Sequence, residues 1–345
     1  MKARSRGEAY SQERKMQDEW AKRDFDRERM IEEVHKESIK RIQGKIDDFY
    51  MKYASDSGLT RQEANRVLKD FNVPDWANKA KIEVDKAIAD KAKNPSLHKF
   101  KMKNKLDYFS PETNKWLRAY NAKMKISRLE LLKGELEIEL QKMYAQDHAI
   151  IDTYLTEEYR AELKRQAGIL GMSSSGVSKN IENIINADFY GANFSEAIWG
   201  RNGHYDSTRK EVFKSLNRFY TDMGGYREIR RDLMKKFEVT EYESMRLLRT
   251  ECSRIRNTAQ MNTYKEHDFD YFVYVTESGA CSECAWWEGK AIPVDGGSMG
   301  FNVPPLHPNC RCHTYGVIRM DKKDGTSNLD EYDIWDGTES PQDDK

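Results

Sequence analysis

From Ala9 to about Tyr53 the chain is a run of charged and long straight-chain residues with no proline and one interior glycine, Gly44. Such a run favours a single long helix. Ile39, Ile42, Ile46, Phe49 and Tyr53 recur at steps of three and four, which puts them on one face. That face needs a partner, and two kinds use such a seam: a neighbouring helix of a bundle, or a coiled-coil contact with another subunit. After the turn-like SDSG, Thr60 and Glu63 form a T-x-x-E capping box that opens a second helix over 61–71. Pro74 starts another through Trp76, Ile82 and Val84, and KNPSLHK marks a break near Pro95. A further helical pattern, through Trp116, Leu117, Met124, Leu131, Leu136, Leu140 and Met143, carries the chain to about Tyr154.

GILGMSSSG at 168–176 concentrates small, turn-forming residues and reads as a linker. Beyond it, FSEAIWGRNGHYDS reads as a helix start, a glycine-bearing turn and another helix, and Gly224 and Gly225 punctuate the chain again. Thr240 and Glu243 form a second capping box, opening a helix through Met245, Leu248 and Ile255 to about Tyr264. YFVYVTE, aromatic and β-branched, follows as a strand. The expectation is therefore a mainly α protein with a small C-terminal α+β domain: an extended helical body, then a loop-rich minidomain. The segments are 1–170 (helical N-terminal region), 171–240 (helical middle region), 241–320 (the minidomain with its entry helix) and 321–345 (an acidic, mobile tail).

Charge changes this picture little. Lys plus Arg and Asp plus Glu both total 58, without the global basic excess of a dedicated nucleic-acid coat. The stretch from Asp321 to Lys345 holds nine acidic residues and three lysines, leaving a surplus of six positive charges elsewhere. No stretch approaches the roughly 20 apolar residues of a membrane span, and MKARSRGEAYSQERK lacks the apolar centre of a secretory signal. A cytoplasmic chain is expected, and there clustered cysteines serve as metal ligands or reactive thiols more often than as disulfides.

Four of the five cysteines lie between 281 and 312. Cys281 and Cys284 make a C-x-x-C knuckle after the predicted strand, and His307, Cys310 and Cys312 follow as H-x-x-C-x-C beyond a loop containing Gly296, Gly297, Pro304 and Pro305. Two close groups joined by a turn-rich loop can converge on one tetrahedral ion, and zinc takes four such ligands. Cys281, Cys284, His307 and Cys310 form the first set, with Cys312 the substitute for one of them and His313 adjacent. The competing reading is a set of reduced cysteines without metal. Glu283 and Glu288 lie close by, but no H-E-x-x-H pattern accompanies them, and glycines and prolines replace the βαβ context of a redox C-x-x-C. A metal crosslink would stabilise a segment too small to bury much core.

At these residues a resemblance emerges. The helix LLRTECSRIRNTAQMNTYKE, then YFVYVTESGACSECAWWEGK, then PPLHPNCRC resembles the Mu F-type phage head-morphogenesis domain of minor capsid proteins. KIDDFYMKYASDSGLTRQEANRVL and the stretch from FSEAIWGRNGHYDS to MKKFEV are similar to the N-terminal and middle parts of full-length members, so the resemblance spans most of the chain. It implies a minor head protein without turnover chemistry, made in the host cytoplasm and found in the virion, and it leaves the structural zinc read from the ligand spacing intact. The implied partners are the portal protein and procapsid components, DNA being a further one; the apolar seam of the N-terminal helix adds self-association as an expectation of its own. By position, Arg249, Glu251 and Asn257 match the polar helix positions, and Cys281, Cys284, Gly289, His307, Cys310, Arg311 and Cys312 match the cysteine half. Where many members carry a D-x-R-T-C turn before the knuckle, this chain has ESGAC, so no role carries over for the Asp and Arg of that turn.

Arg249 and Glu251 have two readings: solvated ion pairs of little consequence, or a buried pair docking the helix against the cysteine loop. Arg311 could donate to a backbone carbonyl or to Glu251. Trp286 and Trp287 suit a core, a lid or a stacking surface. Two other functions compete with the head protein. A zinc-ribbon-like DNA-binding protein would track phosphates with its positive helical body and weaken steeply with salt. A metal-dependent nuclease or peptidase would use His307 as ligand and His313 as base.

Overall fold

The structure, a computed structural model, describes residues 5–55, 128–172, 181–221, 226–321 and 326–341. The helices read over 61–71 and from Pro74, the break at Pro95, the Trp116–Met124 stretch, the serine-rich part of the linker, Gly224–Gly225 and the last residues of the acidic tail lie outside the described residues. The helices are α1 (Arg6–Ser55), α2 (Arg128–Leu170), α3 (Ile181–Ile185), α4 (Phe194–Trp199), α5 (His204–Thr221), α6 (Tyr226–Glu266) and the short α7 (Ser282–Trp286). The strands are β1 (Tyr271–Val275), β2 (Lys290–Pro293), β3 (His313–Val317) and β4 (Asp333–Ile334). The fold is mainly α with a small C-terminal four-stranded sheet, in line with the expected helical body and small α+β domain. The N-terminal helix and the strand at YFVYV fall where expected.

Two expectations need correction. α2 does not stop near Tyr154 but runs to Leu170. Its end is set by Gly171 at φ +69, where the Met172 N–H reaches the Ala167 carbonyl (2.9 Å) and the Gly171 N–H the Gly168 carbonyl (3.2 Å). This is a Schellman stop that only a residue tolerant of positive φ makes readily. Thr240 opens no helix either: α6 runs through it without interruption, and its hydroxyl donates back to the Lys236 carbonyl (2.8 Å) and meets Thr208 Oγ1 (3.1 Å). A buried threonine bonding to i−4 needs no cap role.

The chain divides into two compact units. The second contains the described residues of Val34–Asp147 and Trp199–Thr240. Val34, Ile42 and Ile46 of α1, Leu136 and Leu140 of α2, Val212 and Leu216 of α5, and Leu233 and Phe237 of α6 form its apolar interior. Buried polar groups thread it: His35 Nε2 lies 2.7 Å from Asp147 Oδ2, and Tyr144 OH lies 2.8 Å from Thr208 Oγ1. Glu137, fully buried, accepts from Arg209 Nε (2.6 Å) and from the Tyr205 hydroxyl. Burial outweighs the guanidinium and pushes its carboxyl up from 4.5 to about 7.

A raised carboxyl pKa favours the protonated folded state, so this contribution is fully present below the unfolded value and is lost as pH rises through about 7. Between pH 5 and pH 8 it falls by about 2–3 kcal/mol. In urea titrations across that range, Glu137→Gln is expected to gain on the wild type by about this amount. A stability difference independent of pH would show that Glu137 is ionised throughout.

The first unit contains the described residues of Met1–Glu33, His148–Ile198 and Glu241–Lys345. Its part of α1 buries Glu13, Gln17, Trp20, Asp24, Arg27 and Ile31, a four-three stripe that is mostly polar. The sheet has the order β3-β1-β2-β4, with β1 antiparallel to β2 and β3, and β4 parallel to β2. Alternation gives it two apolar faces. Phe272, Tyr274 and Ile292 point into a core with Trp287, Leu306 and the buried cysteines Cys284, Cys310 and Cys312. Val273, Val275, Ala291, Tyr315 and Val317 point to the other side, covered by Leu329 and by Ala9 and Tyr10 from the start of α1.

The free edge of β3 is closed by α6. Gln260 Oε1 accepts from Thr314 N (3.3 Å), and Tyr264 OH donates to Thr314 O (3.1 Å), occupying the backbone groups that an open edge would expose. Gly316 permits this approach, since a Cβ there would lie 2.5 Å from Phe269 Cδ1 and 2.8 Å from Tyr264 Cδ1.

Candidate metal centre

Each donor is placed by a local device. Cys281 sits at the N-cap of α7, its sulfur accepting from the Cys284 N–H at 3.5 Å. One helical turn therefore brings both knuckle sulfurs to the same end. The long loop before β3 is folded by Asn302, fully buried, which accepts from Ser298 N (2.7 Å) and donates to Gly296 O (3.0 Å). The Pro304–Pro305 peptide is cis and Asn309 has φ 69. The Cys310 N–H closes a turn onto the His307 carbonyl (3.1 Å). Gly289, at φ +73, ends the knuckle turn with its N–H on the Tyr274 carbonyl (2.9 Å).

The five donors converge as two overlapping trios that share Cys284. Cys281, Cys284 and His307 form one, Cys284, Cys310 and Cys312 the other, with ligand atoms within 4.8 Å of one another in each. His307 Nε2 lies 3.2 Å from Cys281 Sγ and 3.3 Å from Cys284 Sγ, and Cys284 Sγ lies 3.7 Å from Cys310 Sγ. A tetrahedral ion with metal–sulfur bonds of about 2.3 Å sets sulfur–sulfur edges of about 3.8 Å, so the Cys284–Cys310 spacing fits. His307 Nδ1 lies 2.9 Å from the Pro308 carbonyl. A proton there directs the Nε2 lone pair at the thiols, the arrangement of a metal-binding imidazole. Hydrogen bonds from the Cys284 and Cys312 thiols hold the Cys310 thiol well below its ordinary range. Burial raises Cys281, but the Cys284 N–H and thiol, His307 and the Glu283 N–H together outweigh it and bring the thiol down. The cluster could hold a metal ion, and its chemistry is that of a thiophilic one.

All five cysteines are free. Cys252 stands apart, fully buried in the helical core beside Arg27 (3.9 Å). His313 does not join the cluster. As the first residue of β3 it points to the opposite face from Cys312, 1% exposed, its ring 5.1 Å from that of Trp20. Burial and the nearby Arg165, Arg14 and Arg256 push its pKa down to about 3. It is therefore neutral despite Glu13 at 3.6 Å. It lies outside both donor trios, away from the place where the base read from the sequence would act.

The polar positions of α6 reach the cysteine loop by different routes. Arg249 Nη1 donates to Asn309 Oδ1 and its Nε to Glu28 Oε1, both at 2.7 Å. Thr250 Oγ1 accepts from Asn309 N (3.0 Å), and Asn257 Nδ2 donates to Cys312 O (3.2 Å). Glu251 pairs with Arg254 (2.8 Å) instead, and Arg254 donates to the carbonyls of Ile184 and Ile185. Arg311 faces Glu28 at 3.7 Å rather than Glu251, and its carbonyl accepts from Gln17 (3.1 Å). Glu28, Thr250, Arg254 and Asn309 escaped the sequence reading. Glu28 alone had a readable signal, lying next to Arg27 in the four-three stripe of α1. Trp287 is fully buried, whereas Trp286 is half-buried under the Lys290 ammonium at 3.8 Å.

Residues 221–315 match the family described as Phage Mu protein F like protein, which supports a phage head-morphogenesis family for this segment. The match contains every cysteine and histidine of the cluster and the α6 residues that brace it. No curated protein and no solved structure matches the chain. Among the described residues no helix is long and apolar enough to cross a membrane.

Proposed function

We propose, from the Phage Mu protein F like segment at 221–315, that the protein is a minor head protein, incorporated in a few copies at the portal vertex while the procapsid assembles. The observation that carries this is the coincidence of the match with one structural device: a cysteine and histidine loop anchored on α6 through Arg249, Thr250 and Asn257. The ion proposed is zinc, held by Cys281, Cys284, His307 and Cys310, with the Cys312 thiol beside them. Four protein donors leave no open coordination position, which favours a structural over a catalytic ion. The pinned loop then presents a fixed surface to the portal or shell. Gly289 serves the same end by turning the chain between the knuckle and β2, and Arg311 ties the loop to α1.

Procapsids and finished heads purified from phage-producing cells test the reading by quantitative mass spectrometry. The protein is expected in procapsids at a small, constant ratio to the portal protein, and to be lost from particles assembled without portal. Its absence from both procapsids and heads would overturn the assignment.

A further inference from the structure

Beside the sheet, the first unit has a cleft of about 980 Å³, lined by α6, the α3–α4 connection and the loop at 297–303. Met261, Met299, Phe301 and Val303 give it an apolar floor, with two thioethers that adapt to varied shapes. Aromatic walls come from Tyr159, Phe189 and Tyr190. Tyr190 is 57% exposed and held at φ 55, a conformation unfavourable for a bulky residue. Its ring is braced edge-on against Phe189 at 4.3 Å, and its hydroxyl reaches the Leu306 carbonyl.

The charges on the rim decide what such a cleft accepts. Arg254 lines it, but its guanidinium is occupied by Glu251 and two carbonyls. Exposed Asp188 and Glu266 remain, against the single cation of Lys265. Among the described residues neither carboxylate is in an ion pair. Two carboxylates beside aromatic rings repel a phosphate backbone and attract a cation, which the ring faces also bind.

We infer that this cleft is a docking site for a protein segment that presents an arginine or lysine between apolar side chains. The apolar neighbours fill the methionine floor, and the cation lies between the aromatic walls and the two carboxylates. The inference stands on the cleft alone, so the particle experiment and this one fail independently.

A display library of short random peptides, selected on the full chain, provides the probe, and enriched peptides are remade with a fluorescent label for anisotropy titration. Enriched sequences are expected to carry a basic residue flanked by apolar ones. Binding should weaken about tenfold in the Asp188→Asn/Glu266→Gln double variant and vanish in Asn262→Trp, which fills the cleft. Asp188 and Glu266 are exposed, so the double variant keeps the fold. Failure to enrich any sequence, binding equal in wild type and both variants, or enrichment of acidic peptides would overturn the inference. Labelled oligothymidine that binds the wild type and not Asn262→Trp would likewise overturn it, assigning the cleft to nucleic acid.

Discussion

Arg256→Leu is expected to destabilise the first unit by about 3–5 kcal/mol, because it takes the main cationic partner from two buried carboxylates. Arg256 donates to Glu158 Oε2 (2.6 Å) and to both oxygens of Asp24, one at 3.0 Å. Asp24 and Glu158 are each 1% exposed. Arg27 reaches Glu158 (2.7 Å) and Asp24 (3.7 Å), and the more exposed Arg23 reaches Glu158 (3.3 Å), so three arginines serve the two carboxylates. Burial alone would raise the Glu158 carboxyl, but Arg256 and Arg27 hold it down at about 2. Its stabilising contribution is therefore present above the unfolded value of 4.5 and lost as pH falls toward 2. The Arg256 guanidinium also lies over Trp20, 5.3 Å from the ring centroid, so packing is lost with charge. Urea titration at neutral pH measures the effect. Adding Asp24→Leu should recover part of the loss, since the carboxylate deprived of its main partner is then removed with it. A single-variant cost below about 1 kcal/mol would mean that Arg23, Arg27 and water make up for the lost guanidinium.

Cys284→Ser is expected to have the larger effect on the minidomain. Cys284 is the one donor common to both trios, so its loss breaks both of them. Structural zinc contributes on the order of 10 kcal/mol of binding free energy that is also folding free energy. The loop from Gly297 to Cys312 should become open to limited proteolysis, and a strong chelator should produce the same cleavage in the wild type. Cys252→Ser is the control. Its sulfur lies in the helical core, fully buried, and its substitution should leave the loop protected. Equal protease resistance in wild type, chelated wild type and Cys284→Ser would show that packing of Trp287, Leu306 and Tyr274 holds the loop unaided.

The cysteine spacing made the cluster legible because C-x-x-C and H-x-x-C-x-C are local patterns, each closed by one turn of backbone. The overlap of the donors in two trios was not legible. It depends on how Asn302 and the turn at Asn309 fold the intervening loop, and these are contacts between residues with no periodic signal. In α1, Ile39, Ile42 and Ile46 announced their face by hydrophobicity. Glu13, Gln17, Asp24 and Arg27 occupy the equivalent stripe and are equally buried, but a pattern search that scores apolar residues misses a seam built from compensating charges. Trp20, Ile31 and Val34 carried its phase. Thr240 shows the reverse error. T-x-x-E is a valid cap sequence, and only the Thr208 contact and the continuous i−4 bonding of α6 show that the helix had begun at Tyr226.

Elemental analysis of the chain purified without chelator tests the metal-pinned loop most directly. About one zinc per chain is expected in wild type and in Cys312→Ser, and none in Cys281→Ser or Cys284→Ser. A folded, monodisperse wild type that contains no metal would contradict the zinc centre.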